Sequence, residues 1–420
     1  MESIEQMIVR LCPEGVEYKS FSEIGSYIRG ITYNKAQENN TGDGEGWKVF
    51  RANNITLSSN TLNYDDVKVV QKSVKVKESQ MLKEHDILIC AGSGSKDHIG
   101  KVAYINENME YTFGGFMGVL RANEDLVLSR YLFHVLTSKI FKDYLSETLN
   151  SSTINNLNSQ IMNDFEFPLP PLCIQERLVE VLDKMTTLTA ELEAELEARK
   201  QQYEYYRNKL LTFNEIGGGI RQVTWMKINE IGTIYRGIAY SKKDFTETGT
   251  PCIHYGQIYT RYGTFANKTF TYVSEELANG KRLAKKGDLV MAVTSENMED
   301  VGKCLAWLGE DDILVSNHAC FIRHSLNPKY LAYFLQTSYF FNYKKKISKG
   351  VKVIDLDLNM FGDMLIPVPS MEEQERIVSI LDRFEALTTD LQIGLPAEIE
   401  ARRQQYEYYR NKLLTFDQAV

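Results

Sequence analysis

The sequence lacks the cysteine arrangements that build a disulfide framework or a metal site. Its 420 residues include six cysteines, with no close pair and no CxxC motif. Such spacing is typical of reduced, mostly buried cysteines in a cytoplasmic protein. A metal site built from Cys304, His318 and Cys320 is disfavoured because the usual spacing of zinc ligands is missing. We therefore expect a cytoplasmic chain that binds no metal.

Long apolar runs are also missing. No apolar stretch approaches the length of about 18 residues that a membrane-spanning helix needs. Residues 1–15 lack the basic-then-apolar pattern of a secretory signal. With 43% hydrophobic and 25% charged residues, the composition predicts a soluble protein of several globular parts without contact to a membrane.

Catalytic motifs are absent from the sequence as well. Residues 94–101 resemble a P-loop, but the first glycine comes one residue too early and Val102 stands where a magnesium-binding Ser or Thr is required. No GxSxG, HExxH or GxGxxG motif occurs, nor the Asn-Pro-Pro-aromatic tetrapeptide of DNA amino-methyltransferases. The sequence therefore predicts a non-catalytic chain whose partner proteins carry any catalysis.

What the sequence does contain is a near-identical block that occurs twice. Residues 198–213 read ARKQQYEYYRNKLLTF, and residues 401–416 read ARRQQYEYYRNKLLTF. Shorter matches precede both blocks, such as PLP and PVP, followed in each copy by QER. A repeat of this length indicates that the chain is built twice. Each half is predicted to be a variable globular segment followed by a matched segment, with ranges of 1–170, 171–214, 215–369 and 370–420.

The matched segments have the spacing of long amphipathic helices. Gly, Pro and Asn are absent from residues 173–207, and apolar residues recur at alternating steps of three and four, as in a coiled-coil seam. We expect the two helices to pack on each other, the alternative being that each packs only on its own globular segment. The predicted seam and docking residues are Leu178, Met185, Leu192, Tyr203, Tyr206, Leu210, Ile377, Phe384, Leu391, Tyr406, Tyr409 and Leu413.

The second helix carries an additional four-residue unit that contains Gly394 and Pro396. An insertion of four residues shifts the register of a coiled coil, and both residue types disfavour a continuous helix. We expect this helix to bend or break there. Ser370 and Glu373 have the spacing of a capping box and mark its start.

The net charge of −8 is unevenly distributed. Residues 215–369 carry 19 basic and 16 acidic residues, whereas each of the other three segments is acidic. Basic clusters attract phosphates, although a solvated helix face gives the same pattern. The cluster in the second globular segment consists of Lys344, Lys345, Lys346, Lys349 and Lys352, and the local patch in the first consists of Lys68, Lys72, Lys75, Lys77 and Lys83.

Two variable segments that alternate with two helices ending in QQYEYYRNKLLTF resemble the specificity subunit of a type I restriction–modification system. The helix starts PLPPLCIQER and PVPSMEEQER, and the segment starts GVEYKSFSEIG and VTWMKINEIG, also carry the resemblance, which covers essentially the whole chain. It implies an α+β fold: two target-recognition domains and an antiparallel coiled coil, arranged as a pseudo-twofold internal repeat. Each domain is then expected to read one half of a split site in double-stranded DNA.

The same resemblance implies partner proteins. Two modification subunits, which bind S-adenosylmethionine and methylate adenine, are expected to dock on the helices, and restriction subunits that use ATP are expected to join the complex. The chain itself is then expected to hold no cofactor. Two alternatives are a DNA-recognition subunit of a methylation-based defence complex without a nuclease, and a self-sufficient enzyme or scaffold.

Residues that read bases are predicted at positions that correspond in the two halves but differ in identity. Direct readout uses Arg or Lys on guanine and Asn or Gln on adenine. The candidates are Arg51, Asn53, Asn54, Ser93, Ser95, Lys96, His98, His254, Gln257, Thr294, Ser295 and Asn297. Further candidates are Tyr33 and Lys35, and opposite them Tyr240 and Lys242, which follow the Arg-Gly turns at residues 29–30 and 236–237. Positions that recur in both halves, predicted to contact the DNA backbone, are Arg29, Lys101, Arg236 and Lys303.

Two groups of these candidates follow short apolar strands, so loops 92–98 and 294–300 are expected to project from a sheet. Residues 150–158 and 349–357 are further candidates for contact with DNA. For each residue an ordinary polar loop is the alternative. Gly100 and Gly302 occur at matching positions and are predicted to form turns with a positive φ.

Overall fold

The computed structural model describes residues 2–39, 45–94, 98–150, 156–213, 223–390 and 393–419. The chain separates into two compact units. The first unit comprises Met1–Glu191 and Ile399–Val420, and the second comprises Leu192–Glu398. Each unit therefore combines one variable segment with the first part of one long helix and the last part of the other.

Short strands and helices alternate in the globular part of the first unit. Its strands are β1 (Tyr18–Ser20), β2 (Gly25–Arg29), β3 (Trp47–Phe50), β4 (Ile55–Thr56), β5 (Thr61–Leu62), β6 (Lys68–Val70), β7 (Ile87–Cys90), β8 (Val102–Tyr104), β9 (Tyr111–Phe113), β10 (Met117–Ala122) and β11 (Glu166–Pro168). Its helices are α1 (Ile4–Leu11), α2 (Phe21–Ile24), α3 (Ser129–Thr137), α4 (Lys139–Asn150) and α5 (Ser159–Asn163).

An antiparallel sheet in the order β2-β10-β7-β8 organises the first unit. Every residue of β7 is buried, and its side chains alternate between two apolar clusters. Ile87 and Ile89 pack in the cluster that includes helix α3, whereas Leu88 and Cys90 pack in the cluster formed with the second sheet, β6-β3-β9. Burial on both faces explains why the ILIC strand is apolar throughout rather than alternating.

The second unit contains equivalent elements. Its strands are β12 (Thr224–Lys227), β13 (Gly232–Arg236), β14 (Phe245–Thr246), β15 (Thr250–Ile253), β16 (Phe265–Ala266), β17 (Thr271–Val273), β18 (Leu289–Ala292), β19 (Thr294–Ser295), β20 (Cys304–Trp307), β21 (Leu314–Val315), β22 (Ala319–His324), β23 (Ser348–Lys349), β24 (Ile354–Leu356) and β25 (Leu365–Val368). Its helices outside the matched segments are α7 (Ile228–Ile231), α8 (Tyr255–Thr260), α9 (Glu275–Ala278), α10 (Pro328–Phe334), α11 (Ser338–Ile347) and α12 (Leu358–Gly362).

The two globular parts share one sheet topology. The central sheet of the second unit runs β13-β22-β18-β20-β16, which repeats the order of the first unit and adds one edge strand. A second sheet, β14-β17-β15-β21, and the terminal pair β12-β25 also have counterparts in the first unit, where β1 pairs with β11. The internal repeat seen in the sequence is therefore a repeat of the fold.

The matched segments are helical, as predicted. The first forms one helix of 40 residues, Leu172–Leu211, here α6. The second is broken into α13 (Met371–Thr389) and α14 (Leu395–Leu413), as Gly394 and Pro396 predict. A Cβ atom on Gly394 would lie 2.5 Å from the carbonyl oxygen of Ala386. Glycine is therefore required at this position, which lies against the last turns of α13.

Each long helix begins on its own globular segment and ends on the other one. In the first unit, Leu178 and Leu182 of α6 lie in the same cluster as Leu414 of α14. In the second unit, the end of α6 contributes Tyr203 and Leu211 to the cluster that also contains Ile377, Val378 and Leu381 of α13. The two helices therefore pack on each other, as expected, and each also packs on a globular segment at both of its ends. The alternative, packing on its own segment only, is wrong.

The predicted seam needs one correction. Leu182 and Leu381 lie outside the predicted seam and are fully buried. Leu188 and Leu387 continue the seam three residues after Met185 and Phe384, yet they are exposed. The reason is that the first turns of each helix face a globular segment, which covers a wider stripe than a partner helix does.

Two further predictions concern the backbone and the membrane. Gly100 and Gly302 have φ angles of +83° and +77°, which confirms the predicted turns. In the part of the chain that the structure describes, no helix combines the length and apolar character needed to span a bilayer.

Candidate nucleic-acid interface and helix surface

In the first unit, a loop with three predicted base-reading residues is held together by two of them. Asn54 is fully buried; its side chain accepts a hydrogen bond from the Arg51 amide (2.9 Å) and donates one to the carbonyl of Asp65 (2.8 Å). The Arg51 guanidinium donates to the carboxylate of Asp66 (2.7 Å). Asn54 therefore leaves the candidate set, because its amide is used inside the loop. Asn53 is exposed and stays in the set.

The loop after β7 holds the next group of candidates. Ser95 and Lys96 lie outside the described residues, and Ser93 and His98 are half-buried. Lys101 is buried, and its ammonium donates to a backbone carbonyl 2.8 Å away, that of Ile55. Burial lowers the pKa of Lys101. This lysine supports the fold and is corrected from a DNA contact to a structural residue.

The arginines and lysines that recur in both halves differ in exposure. The Arg29 guanidinium donates to the carbonyls of Leu157 (2.9 Å) and Gly115 (2.8 Å), so it joins distant segments of the first unit. Arg236 is exposed at the equivalent position of the second unit. Lys303 is also exposed. The predicted contact of these side chains with the DNA backbone stays a prediction, and exposure favours Arg236 and Lys303.

The tyrosine–lysine pairs after the Arg-Gly turns divide in the same way. Tyr240 is buried, and its hydroxyl donates to the carbonyl of Ile253 (2.8 Å), whereas Tyr33 is half-buried. Lys35 and Lys242 are exposed, each at the start of a 3-10 turn. Of these pairs, only the two lysines have side chains that are exposed and accessible to a ligand.

His254 and Gln257 form the start of helix α8 in the second unit. The Gln257 amide oxygen accepts from the His254 backbone amide (2.9 Å), and the histidine ring caps the helix through Gly256. Gln257 is buried by this arrangement, and it leaves the candidate set. Burial, then the charge of Lys242, lowers the pKa of His254, so its half-buried ring is neutral at pH 7.

The loop after β18 is shorter than predicted. Thr294 and Ser295 form strand β19 and are buried, and the Thr294 hydroxyl donates to the Asp355 carboxylate (2.5 Å). Their expected projection from the sheet is wrong, because β19 pairs with β24, which lies about sixty residues further along the chain. Asn297 is exposed in the remaining loop, where it bonds with Asp300 (2.8 and 2.9 Å).

The lysine cluster of the second unit is mostly exposed. Lys344 is the exception: it is buried, and its ammonium donates to the carbonyls of Val301 (2.7 Å) and Glu299 (3.0 Å). Burial lowers its pKa to about 8. Lys344 is therefore structural, since its side chain is buried and two of its three N–H donors are engaged. The exposed members of the cluster are Lys345, Lys346, Lys349 and Lys352.

Polar networks join the globular segments to the helices, which the sequence did not indicate. In the first unit His134 is fully buried between the Asp183 carboxylate, 2.8 Å from Nε2, and the Tyr406 hydroxyl, 3.0 Å from Nδ1. Burial lowers the pKa of His134. The neutral ring donates to the carboxylate and accepts from the tyrosine.

The second unit has Tyr333 in place of this histidine. Its hydroxyl lies 2.6 Å from carboxylate oxygens of both Asp382 and Glu385. Tyr203 and Tyr206 of α6 stack on Phe384 with ring centroids 6.2 and 5.7 Å apart. The two junctions therefore use equivalent positions with different chemistry.

The duplicated NKLL sequence has the same structural role in both units. Asn208 accepts a hydrogen bond from the amide of Ser338 (2.7 Å), and Asn411 accepts one from Lys139 (3.0 Å). These amides belong to the first residues of α11 and α4, so each asparagine caps a helix of the globular segment that it contacts. Identical contacts at both sites explain why the block is nearly identical in its two copies.

The predicted seam and docking residues differ in burial. Leu391 lies outside the described residues. The buried members are Leu178, Tyr203 and Ile377. The half-buried members are Met185, Leu192, Leu210, Phe384, Tyr406 and Leu413. Tyr206 and Tyr409 are more than a third exposed.

An apolar groove accompanies Tyr409 in the first unit. It has a volume of about 290 Å³ and is lined by Val181, Met185, Leu188, Arg402, Gln405 and Tyr409. In the second unit Phe384 stands where the first has Met185, and Tyr206 stacks on it.

Two exposed tyrosines at matching positions were missed by the sequence prediction. Tyr205 is 57% exposed and Tyr408 is 62% exposed. Each ring meets the next tyrosine edge-on, with centroids 5.3 Å apart in both copies. Their identity in both blocks was the available signal. A large aromatic side chain that is exposed twice at the same place is typical of a contact surface for a partner protein.

The residues described contain no group of three His, Cys, Asp or Glu side chains placed to hold a metal ion. The sites found here are thus exposed polar and basic surfaces on two similar globular segments, together with a matched surface on the helices. Such surfaces suit recognition of a polyanion.

Comparison with known protein families gives the same organisation. The family model for the type I restriction modification DNA specificity domain matches the chain twice, over residues 13–199 and 221–401. The chain belongs to this specificity-domain family. Its two matches follow the two halves of the repeat.

Several named specificity subunits are similar to this chain. The chain is 35% identical to the EcoR124I/EcoR124II specificity subunit of Escherichia coli. The matched region covers 59% of this chain and 61% of that relative. It is 29% identical to a putative type I specificity subunit of Haemophilus influenzae over 76% of this chain and 81% of the relative. The EcoKI specificity subunit of Escherichia coli is 28% identical over 70% of this chain and 64% of the relative.

Solved structures confirm the α+β fold of the specificity family, in which two domains alternate with coiled-coil helices. A chain from work on the assembly and conformational transition of the type I restriction–modification system superposes with a TM-score of 0.60 at 15% identity, covering 95% of this chain and 97% of that chain. The S subunit from M. genitalium gives 0.50 at 13% identity, covering 95% and 96%.

Proposed function

We propose that this chain is the DNA sequence-recognition subunit of a type I restriction–modification complex, in which each globular segment reads one half of a bipartite site in double-stranded DNA. The observation that carries the proposal is the duplicated specificity domain: one topology occurs twice with different exposed side chains. A shared scaffold with different surface residues is what two independent half-sites require.

The complex in which the chain works contains two modification subunits, docked on the helices, and restriction subunits. The exposed Tyr205 and Tyr408 support two equivalent docking sites, because each lies in one copy of the repeated block. The chain itself is non-catalytic and holds no cofactor. S-adenosylmethionine and ATP are bound by the partner subunits.

Methylated-base sequencing tests the DNA-reading function. Cells that carry this chain with its modification subunits are expected to methylate adenine in one bipartite motif, and cells without the chain are expected to lose that motif. Methylation that persists unchanged without the chain would contradict the proposal.

Calorimetry with S-adenosylmethionine tests the division of labour. The purified full chain is expected to bind none, whereas the complex with modification subunits is expected to bind and to transfer the methyl group. Binding by the isolated chain would show that the cofactor site lies here.

Native mass spectrometry tests the two docking sites. Tyr205→Ala and Tyr408→Ala are each expected to weaken binding of one modification subunit and leave the other bound. The matched control is Tyr64→Ala, an exposed tyrosine of the first globular segment. If the double variant still binds both modification subunits, these two tyrosines are not part of the docking sites.

A further inference from the structure

A β-hairpin of the second unit has an apolar tip in solvent. Strands β23 and β24 pair with Lys349 opposite Asp355, and the tip between them carries Val351. This valine is 95% exposed, more than any other large apolar side chain in the described residues, and Val353 is 52% exposed. Both valines belong to the same turn, and exposed apolar side chains grouped on one turn are typical of an interaction site.

The tip has a defined shape. Gly350 has a φ of +117°, and a Cβ atom there would overlap the carbonyl oxygen of Val353. Only glycine accepts both conditions without strain. Ile354 and Leu356 are buried at the base of the hairpin, and the Leu356 amide donates to the Val293 carbonyl (2.8 Å). The exposed valine is therefore presented by a fixed turn.

The hairpin belongs to the same small sheet as the loop predicted to read bases. The sheet order is β19-β24-β23, and β19 leads into the loop that carries the exposed Asn297. The first unit makes an equivalent contact, a bridge between Gly92 and Asn156. The hairpin and the loop predicted to read bases therefore extend from one sheet, although they are far apart in the sequence.

Lysines precede and follow the tip in the chain. Lys349 and Lys352 flank Val351 on the hairpin, and the exposed Lys345 and Lys346 lie on the helix that leads into it. The nearby carboxylates are engaged: Asp355 accepts from Thr294, and Asp357 caps helix α12 and lies 3.5 Å from Lys349. An exposed apolar turn with lysines on both sides of it in the chain fits a groove of DNA, where phosphates line the edges and bases form the floor.

We propose that this hairpin enters the major groove of the half-site read by the second unit and that Val351 contacts the 5-methyl group of a thymine there. The inference rests on the proposed function. A two-stranded ribbon has the width that the major groove admits, and the thymine methyl is the apolar group displayed in it. Lys349 and Lys352 contact the flanking phosphates.

A double-mutant cycle tests the contact, using the full chain assembled with its modification subunits and the motif found by methylated-base sequencing. Val351→Ala removes two methyl groups and is expected to weaken binding on the order of tenfold. Replacing the contacted thymine by uracil is expected to weaken the unaltered protein similarly and to leave the Val351→Ala protein unaffected. Val9→Ala, at a 73% exposed valine of the first unit, is the matched control and is expected to change neither affinity.

Lysine substitutions give an independent reading. Lys349→Gln and Lys352→Gln are each expected to reduce the slope of log affinity against log salt by about one, equally for all sequences. An unchanged slope in both variants would show that neither lysine of the hairpin contacts a phosphate.

Photo-cross-linking separates DNA from other partners. A benzoylphenylalanine at position 351 is expected to form a product with a base of the half-site read by the second unit. A product with a modification subunit instead, or equal binding of Val351→Ala and the unaltered protein, would overturn the inference while sequence-specific methylation continued. Loss of sequence-specific methylation in the unaltered complex would overturn the proposed function itself.

Discussion

At the scale of single residues, the positions shared by the two halves act mainly in the fold. Arg121 makes two hydrogen bonds of 2.7 Å to the buried Asp86, and Arg323 makes the equivalent contact of 2.8 Å to Asp288. Paired charges of this kind tolerate burial because each satisfies the other. A residue that recurs in both halves is therefore a weak indicator of DNA contact in this chain.

The duplicated QER motif has a similar explanation. Gln175 is fully buried, and its amide accepts from the Leu128 backbone (2.9 Å) and donates to the Pro170 carbonyl (2.7 Å). Gln374 makes the same pair of contacts in the second unit, with Asn327 and Pro369. This glutamine fixes the start of each long helix on its globular segment.

We predict that Gln175→Ala lowers the free energy of unfolding by about 1–3 kcal/mol, because buried backbone groups lose their partners. Gln201→Ala, in the exposed part of the same helix, controls for the change in helix propensity and is expected to change stability by less than about 0.5 kcal/mol. Urea denaturation of the full chain measures both. Equal effects of the two substitutions would contradict the structural role of Gln175.

The stability of the second unit should depend on pH through His324. Burial lowers the pKa of His324 to about 4 from a reference of 6.5. Its folded-state pKa lies below the unfolded value, so the unfolded chain binds the proton first, and stability is lost as the pH falls from 6.5 towards 4. The shift corresponds to about 2–3 kcal/mol at pH 4.

His324→Asn is expected to remove this part of the pH dependence. The asparagine oxygen replaces the ring nitrogen that accepts from the Leu326 amide, and it does not titrate. Unfolding of both proteins between pH 7 and pH 4 gives the difference, in which other titrating groups cancel. His85→Asn, at an exposed histidine, is the control. Parallel pH profiles for the unaltered protein and His324→Asn would disprove the assignment.

At the scale of elements, the two long helices differ although their sequences match. Helix α6 is continuous, whereas α13 ends at Thr389 and α14 begins at Leu395. Pro396 is accepted because it falls in the first turn of α14, where its missing amide costs no helical hydrogen bond. The additional four residues of the second copy are therefore placed at a junction and do not extend one straight rod.

We predict that a four-residue TAEL unit inserted after Leu196 lengthens the spacer between the two half-sites. The insertion adds about 6 Å to α6, and one base-pair step is about 3.4 Å. Methylated-base sequencing is expected to show a spacer longer by one or two base pairs and unchanged half-site sequences. Removing residues 193–196 is expected to shorten the spacer or abolish binding. An unchanged spacer with full activity would mean that another element sets the distance.

At the scale of the whole molecule, each compact unit contains parts from both halves of the sequence. The first unit takes in residues 399–420 and the second takes in residues from 192 onward, so neither recognition segment is completed by its own half alone. The repeated block at the end of each long helix must therefore pack on a globular segment other than the one on which that helix begins. The exposed loops have no such requirement and are free to vary. This division explains a strong match in the helices and a weak match in the globular segments.

We predict that replacing residues 215–369 with the equivalent segment of a relative changes one half of the methylated motif and leaves the other unchanged. The replacement must retain the helix start that Asn208 caps and the partners of Gln374. Methylated-base sequencing reads the outcome. A change in both halves would show that the two segments do not read DNA independently.

The sequence alone predicts the repeat, the two helical segments and the break near Gly394. These features depend on local spacing and residue type, which a linear pattern contains. It also placed the turns at Gly100 and Gly302, because a positive φ is a property of one residue.

Which polar side chains face inward depends on the three-dimensional fold and could not be predicted from the sequence. Four buried side chains are of residue types that commonly contact DNA, yet each has hydrogen-bond partners inside the fold: Asn54, Gln257, Thr294 and Lys344. For Thr294 and Lys344, those partners lie 61 and 43 residues away in the chain. The reason is that the burial of a polar group depends on which distant segments supply its hydrogen bonds, and no local pattern specifies that pairing.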